Sequence, residues 1–592
     1  MQVVNEHVTK GVGLKGKMMK SRIERGIPYM LIAVTGIILL FRCFYSFSWS
    51  DESFYLTMVH RFWLGERMIE DEWYTAQLST PLLLPFYAIF RWITHGNEGV
   101  YLYFRILYWL ISTGTAFFTY STLKKDNSSM ASLLCSLTYL VYSRANIGGM
   151  SYYNMTLTCV LLAALLIYGQ MDGKNTKWKS YLAGVFLAFA VVFTPFLALP
   201  YLVIAGALLI CKKCHTFMRK MLWTFLGTLT VAIVYIGYVL SMVSIAGLML
   251  NIPHILNEPE LQRTNPLLAI PLIFIRIGWR YRWTVGIMAC LIVYIFYKRK
   301  KGGKITSRVL AVLIVINLAV FLFNVWFSWG LIGCINIAGV LALGVLLFML
   351  ETWEKIDKKV FWIFGTAGFS MAVAFSLSSD TGLDAVAIGF VLIGMGGILL
   401  AFKLQDVKGI VMIIAWVMVL QTMVLRMFSI YRDAPIGDLK TQITSGPGKY
   451  LFTTQEHEKQ YETLKDAIDE YVRKDDTVFY SKECFWSYLV TNNHYGAPSS
   501  WRMAFDSPRL EEYYTIYPQK IPTCVFIISP SYGNFESSLI QGNEKADRPN
   551  ENNIEGYLAD YIKKNDYEKI DLECATVYRK RNFLKVIEEE KK

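Results

Sequence analysis

Residues 42–64 read RCFYSFSWSDESFYLTMVHRFWL. An apolar block ends, two adjacent carboxylates follow at Asp51 and Glu52, and a helical run rich in aromatic residues goes from Phe54 to Leu64. The block before it, about residues 27–47, is long enough to cross a hydrocarbon core of roughly 30 Å. It follows Lys15, Lys17, Lys20, Arg22 and Arg25, is too long for the apolar core of a signal peptide, and lacks a small-residue cleavage site. It reads as an uncleaved first span, with residues 1–26 as a cytoplasmic tail and the acidic pair just outside the membrane.

Moving outward, the same pattern recurs. The 592 residues are 54% hydrophobic and only 18% charged, with 15% aromatic, where a soluble domain carries roughly 25% charged residues. Further apolar blocks fall near 99–121, 128–146, 151–170, 179–194, 196–211, 221–246, 280–297, 308–328, 331–350, 359–378, 384–402 and 409–430. The fold class is therefore mostly α: a polytopic membrane protein with about 13 transmembrane helices. This excludes soluble enzymes, nucleic-acid binders, fibrous proteins and disulfide miniproteins. The loops that would face the cytoplasm are basic, among them Lys124-Lys125, Lys212-Lys213 and Lys298 to Lys301. That agrees with the positive-inside rule and, for an odd count, puts the C-terminal region outside.

Three outward segments are long: 48–98, 247–279, and 431–592. The last holds 22 Lys and Arg against 27 Asp and Glu, leaving 37 basic and 19 acidic residues to the membrane part, 27–430, and its tail. Helical patterns at 456–473 and 553–564 alternate there with strand-like runs, Thr477–Tyr480 and Cys524–Ile528. This predicts a small extracytoplasmic α/β domain. Its aromatic residues Tyr450, Trp486, Tyr488, Tyr495 and Trp501, with His494, suit either a sugar-stacking surface or a core. Ten scattered cysteines make no disulfide framework. Cys211-Lys212-Lys213-Cys214-His215 spells a haem-attachment signature, but on the inner side, where two thiols at a helix end are the simpler reading.

Chemistry can attach to the acidic pair in two ways. Ser50 could cap a helix whose first turn holds Asp51 and Glu52, complementing its dipole. A carboxylate at the membrane surface could equally take a proton from a nucleophile or help hold a divalent metal ion that neutralises a phosphate. Arg42, Arg105, Arg144, Arg276, Arg280, Arg282 and Arg426 lie near outer span ends, where basic residues should be scarce. Arg42 and Arg105 sit inside apolar blocks, which marks them as functional candidates. The arginine fork suits phosphate, and an anionic ligand such as a lipid phosphate would explain a cluster. Tyr55 follows Asp51 by four and should share its face, whereas His60 falls half a turn away and reads as a histidine of the membrane interface. His254, Glu258 and Glu260 have ligand-like spacing but read as surface residues of a Pro-containing loop, and Asp380 reads as part of a tight turn.

Taken together, Trp49-Ser50-Asp51-Glu52-x-x-Tyr55, an amphipathic helix, Ser79-Thr80-Pro81-Leu82 and Phe104-Arg105-Ile106 resemble the start of a GT-C glycosyltransferase of the protein O-mannosyltransferase and aminoarabinose (lipid A) transferase group. The resemblance is local to about residues 27–125. Relatives usually carry two prolines before the leucine, where this chain has Thr80-Pro81. It implies an enzyme of a bacterial plasma membrane that moves a sugar from a polyprenyl-phosphate donor to an acceptor on the outer face, with inversion. Asp51 matches the catalytic carboxylate and Glu52 its neighbour. Arg105, with Arg276 and Arg280, would bind the donor phosphate; Tyr55 and Pro81 would line the substrate cavity. The partners implied are that donor, an acceptor of unknown class and the lipid bilayer. A divalent metal ion is the one cofactor considered. The rival reading is a transporter or flippase of lipid-linked or anionic substrates, which would account for the spans and the intramembrane arginines but not for the acidic pair or the outer domain.

Overall fold

The computed structural model describes residues 26–48, 51–144, 147–170, 177–210, 215–257, 282–302, 357–378, 383–403, 408–428, 430–431, 433–481, 484–501, 508–529 and 557–581, with Tyr532 and a few isolated positions between 268 and 279. The chain begins with α1 (Gly26–Arg42). It is followed by α2 (Ser53–Trp63) and α3 (Thr80–Thr94). Then come α4 (Val100–Leu123), α5 (Ser129–Val141), α6 (Tyr152–Tyr168), α7 (Lys177–Phe193), α8 (Ala198–Ile210) and α9 (His215–Met242). The set continues with α10 (Ile245–Leu256), α11 (Arg282–Lys300), α12 (Lys358–Ser378), α13 (Leu383–Ala401) and α14 (Lys408–Phe428).

Every expected span inside the described residues coincides with a helix, while those at 308–328 and 331–350 lie outside them. Three helices are long and apolar enough to cross a membrane by length and composition: Met221–Met242, α12 and α14. Only 6% of the first of these windows is buried against protein, and Ile233 and Val234 stand exposed on it. Such a surface is unfavourable in water and ordinary in lipid, where the backbone is satisfied inside the helix.

Small residues set the helix crossings. A Cβ at Gly184 on α7 would stand 1.8 Å from the Thr224 carbonyl oxygen, and one at Gly227 on α9 would stand 2.1 Å from that of Tyr181. The two backbones touch, as membrane helices do when dispersion rather than hydrophobicity holds them together. Gly184→Ala or Gly227→Ala should force the helices apart and cost about 1–3 kcal/mol, read as a lower thermal midpoint in detergent. Gly114→Ala, with nothing within 4 Å, is the control and should leave the midpoint level or raise it.

After α14 the chain forms a two-stranded ribbon, β1 (Thr441–Gln442) and β2 (Phe452–Thr453), and then a five-stranded sheet. Its strands are β3 (Thr477–Tyr480), β4 (His494–Tyr495), β5 (Cys524–Ile528), β6 (Tyr567–Asp571) and β7 (Ala575–Lys580), in the order β4-β3-β5-β7-β6. β3 pairs in parallel with β4 and β5; β7 runs antiparallel between β5 and β6. The central runs VFY and CVFII are apolar because helices cover both faces, while β6 carries Glu568 and Lys569 on the exposed edge, which discourages further pairing. α15 (Gln455–Tyr471) is capped by Thr454, whose hydroxyl accepts from the His457 amide (3.1 Å). α16 (Pro508–Ile516) and α17 (Tyr557–Lys564) complete the covering layer. Trp486, Tyr488, Tyr495 and Trp501 are core residues; of the suggested stacking surface only Tyr450 and His494 are exposed.

This region does not stand apart from the segment between α1 and α4. The Trp73 amide donates to the Pro498 carbonyl (2.7 Å), and the Tyr495 amide to Glu66 (2.8 Å). Arg61, wholly buried on α2, pairs with Glu66 and with Glu72 (3.1 Å) and donates to the Ala497 carbonyl (2.8 Å). Lys520 closes the network on Glu66 and Asp71. Charges buried in this way are tolerated because each is paired and hydrogen-bonded.

Candidate active site

The acidic pair does not do what helix capping would require. α2 starts at Ser53 with Glu52 in the capping position, no side-chain cap bond, and no acidic residue in its first turn; Ser50 lies outside the described residues. Glu52 is held instead by Arg105 of α4, 53 residues away. Nε donates to Oε1 at 2.8 Å and Nη2 to Oε2 at 2.6 Å, with both side chains buried. The remaining nitrogen, Nη1, donates to the carbonyls of Cys43 (3.0 Å), Tyr45 (3.1 Å) and Ser46 (3.0 Å). One guanidinium thus fastens the end of the first span to the start of the outer helix, a bidentate arrangement that lysine cannot reproduce. Ser46 sits at φ 72°, a left-handed conformation unusual for a residue with a side chain. It is held there from two sides, since its amide donates to the Phe452 carbonyl of β2 (2.9 Å).

Asp51, released from capping, is half-buried and accepts a hydrogen bond from the Tyr431 hydroxyl (2.7 Å). Tyr431 lies just beyond α14, 380 residues along the chain. It was not legible as a site residue, because an aromatic beyond a span end looks like any member of an interfacial belt. Its ring also borders a small cavity where α1, α4 and α14 meet. Three guanidiniums, Arg42, Arg105 and Arg426, face that cavity against one carboxylate, Glu52. The cluster of outer arginines is therefore real for these three. Arg144 instead lies over the Tyr153 ring at 3.5 Å, and Arg282 is exposed beside Trp279 and Trp283. Arg276, Arg280 and Asp380 lie outside the described residues.

The two cavity residues named from the motif sit elsewhere. Tyr55 is buried in an aromatic cluster, its ring 4.0 Å from Phe54 and 5.7 Å from Tyr152. Pro81 occupies the start of α3, where its missing amide hydrogen costs nothing. His254 stacks on Trp73 (4.4 Å) with Nδ1 3.2 Å from Glu512, and Glu258 and Glu260 lie outside the described residues. Among the described residues no group of three or more His, Cys, Asp or Glu gathers as a metal site, and both Glu52 oxygens are taken by Arg105.

His60, half a turn from Asp51, does not face the membrane surface but is wholly buried. Its Nε2–H donates to the Thr491 carbonyl (2.9 Å), and its Nδ1 lies 2.7 Å from the Tyr87 hydroxyl. Burial pushes its pKa down to about 4. Burial opposes the charge on Glu66 as well, but Arg61, His494 and Lys520 outweigh it and hold that carboxyl at about 2. An unfolded histidine gains its proton near 6.5, so between 6.5 and 4 the unfolded chain binds more protons and stability falls with pH. The loss from His60 reaches about 3 kcal/mol by pH 4. Below about 4.5 the stability contributed by ionised Glu66 declines too. The thermal midpoint should drop steadily from pH 7 to pH 4, and His60→Gln should remove the part of that slope above 4.5. A flat profile would contradict a buried neutral histidine.

No family model matches the chain, and no curated protein matches it. Solved structures do. The crystal structure of the Archaeoglobus fulgidus oligosaccharyltransferase tethered with an acceptor peptide containing the NVT sequon has a TM-score of 0.47 at 10% identity, covering 86% of this chain and 70% of that one. The same enzyme in complex with Zn and sulfate gives 0.43 at 12% identity, covering 84% and 67%. ArnT from Cupriavidus metallidurans bound to undecaprenyl phosphate gives 0.40 at 9% identity, covering 94% of this chain and 98% of that one. The chemistry rests on this chain's own residues.

Proposed function

We propose that this protein is a multi-pass membrane glycosyltransferase that moves a sugar from a polyprenyl-phosphate donor to an acceptor hydroxyl or amine on the outer face of a plasma membrane. The observation that carries the reading is Asp51: a partly accessible carboxylate at the outer end of the first span, oriented by Tyr431, beside a cavity where arginines gather at the membrane end. In this reading Asp51 takes the acceptor's proton as the acceptor attacks the anomeric carbon. The new bond forms on the face opposite the phosphate, the bond from carbon to phosphate oxygen breaks, and the configuration inverts. The departing lipid phosphate gains charge, which guanidinium groups stabilise. Glu52 acts through Arg105, fixing the turn that carries Asp51. Arg276 and Arg280 keep the donor-phosphate role that the resemblance implies, and Tyr55 supports the wall of the acceptor side from within its aromatic cluster. A donor with a long lipid tail explains why the site lies at a membrane surface.

The direct test is to purify the protein in mild detergent and identify co-purifying lipids by mass spectrometry against a mock preparation from the same membranes. Enrichment of a polyprenyl phosphate or its glycosylated form is expected, and the added mass identifies the sugar class. Purification free of any such lipid, with no transfer from a glycosylated polyprenyl phosphate supplied in vitro, would overturn the reading.

A further inference from the structure

One buried carboxylate has no role yet in the arrangement around Asp51. Asp433, in the segment between α14 and β1, is 2% exposed and lies two residues beyond Tyr431. Its Oδ2 accepts from the Phe47 amide (2.9 Å), and the Thr453 hydroxyl donates to the two oxygens at 3.1 and 3.2 Å. Oδ1 accepts from the Ala434 amide (2.8 Å). Nδ1 of His457, in the first turn of α15, lies 2.8 Å from the same oxygen. A carboxylate only accepts, so that nitrogen carries the hydrogen. Burying a carboxylate is expensive unless donors satisfy it, and here they converge from three separate stretches of the chain.

Two of those stretches carry the candidate base and the hydroxyl that orients it. Residues 44–47 run alongside β2: the Phe452 amide donates to the Phe44 carbonyl (2.7 Å), and the Ser46 amide to the Phe452 carbonyl (2.9 Å). Arg105 holds the carbonyls of Cys43, Tyr45 and Ser46, and Asp433 holds the amide that follows, that of Phe47. Asp51 stands four residues farther on. The hydroxyl that reaches it belongs to Tyr431, two residues before Asp433. One carboxylate therefore fixes the approaches to both ends of the hydrogen bond between Tyr431 and Asp51, residues 380 apart in sequence. Thr453 and His457 fasten that carboxylate to β2 and α15. A clasp that served the fold alone would support stability; a clasp on both partners of this bond also sets where the base points.

We propose that Asp433 and His457 are positioning residues for sugar transfer, which set the Asp51 carboxylate against the Tyr431 hydroxyl and make the C-terminal region part of the catalytic unit. The inference rests on the glycosyltransferase reading for its reaction, but not for its geometry. Neither residue moves a proton or contacts the substrate in this scheme. Misplacing a reacting group by about 1 Å costs about 100-fold in rate, so the clasp acts on kcat and leaves donor binding alone.

The test uses the full chain in detergent, with kcat and donor KM for transfer from a glycosylated polyprenyl phosphate measured separately. Asp433→Ala should lower kcat about 10–100-fold and hold donor KM within about twofold of wild type. In an Asp51→Asn background the same change should cost no more than about twofold, because no base is left to position. An equal loss in both backgrounds, a loss confined to KM, or a wild-type kcat in Asp433→Ala overturns the proposal. If Asp433→Ala fails to fold, His457 carries the test. His457→Leu deletes the donor and should slow transfer several-fold, and His457→Asn, whose amide nitrogen reaches the place of Nδ1, should recover most of that loss. A His457→Asn protein as slow as His457→Leu, or no loss in His457→Leu, overturns the proposal. Amide exchange in a peptide covering residues 44–48 reads the clasp without the reaction, and Asp433→Ala should speed it at least about tenfold; unchanged exchange overturns the clasp. Asp51→Asn separates the two readings. Wild-type transfer in that variant, with faster exchange in Asp433→Ala, would remove the base and the positioning role and leave a structural clasp. Slow transfer in Asp51→Asn with a wild-type kcat in Asp433→Ala would keep the enzyme and remove the positioning role alone.

Discussion

Asp51→Asn should lower glycosyl transfer by about 10²–10⁴-fold, the range a positioned general base contributes, with the thermal midpoint unchanged. Asparagine has nearly the same shape, and its oxygen can still accept the Tyr431 hydroxyl that now reaches Asp51 at 2.7 Å. What it loses is the ability to take a proton. The measurement is the rate of sugar transfer from a mass-tagged polyprenyl-phosphate donor in membranes, together with the level of glycosylated donor lipid, which should rise in the variant. Wild-type transfer in Asp51→Asn would remove the mechanism. Tyr431→Phe keeps the ring and deletes the donor, so it should lower the rate much less, with donor KM close to wild type, because Tyr431 orients the base and does not touch the donor.

Arg105→Met should be the most damaging single change to stability. It leaves Glu52 as a buried carboxylate without a partner and strips the carbonyls of Cys43, Tyr45 and Ser46 of their shared donor. Breaking a buried pair from one side costs about 3–5 kcal/mol, a large share of the 5–15 kcal/mol that typically separates folded from unfolded protein. The double replacement Arg105→Met with Glu52→Met should recover part of that loss, since no charge is then left buried, while transfer stays low because the turn carrying Asp51 is no longer pinned. Unfolding midpoints of wild type, both single variants and the double variant give the coupling between the two residues directly. An Arg105→Met protein that unfolds at the wild-type midpoint would mean that the fork is not what holds the turn.

How far the chain could be read before its structure depends on the range of each interaction. The helices at Val100–Leu123 and Lys408–Phe428 were legible because an apolar run of that length has one stable form in lipid. Thr477–Tyr480 and Cys524–Ile528 were legible as strands because a short apolar run bounded by polar residues is a local signal. Asp51 and Glu52 could be singled out by position, directly after a span. Their division of labour could not. Capping and pairing both favour an acidic residue before a helix, and the choice between them was made by Arg105, 53 residues away.

His60 shows the same limit. Helical spacing puts it on a different face from Asp51, but only the packing of α2 against Thr491 and Tyr87 decides that this face is dry. The sugar-stacking aromatics show it again: Trp486 and Tyr495 are as suited to a surface as to a core until the sheet closes over them.

Sequence by itself therefore determined the run of helices, the strands of the C-terminal region and the place of the acidic pair, because hydrophobic length and local periodicity act over tens of residues along the chain. Tertiary structure alone decided that Glu52 is spent on Arg105, that Tyr431 holds Asp51, that the outer loop and the C-terminal region share one buried ionic network, and that Arg42 meets Arg426. Those contacts join groups far apart along the chain, 53 residues for Glu52 and Arg105 and 436 for Arg61 and Ala497, and which buried charge meets which partner is settled by how whole helices pack.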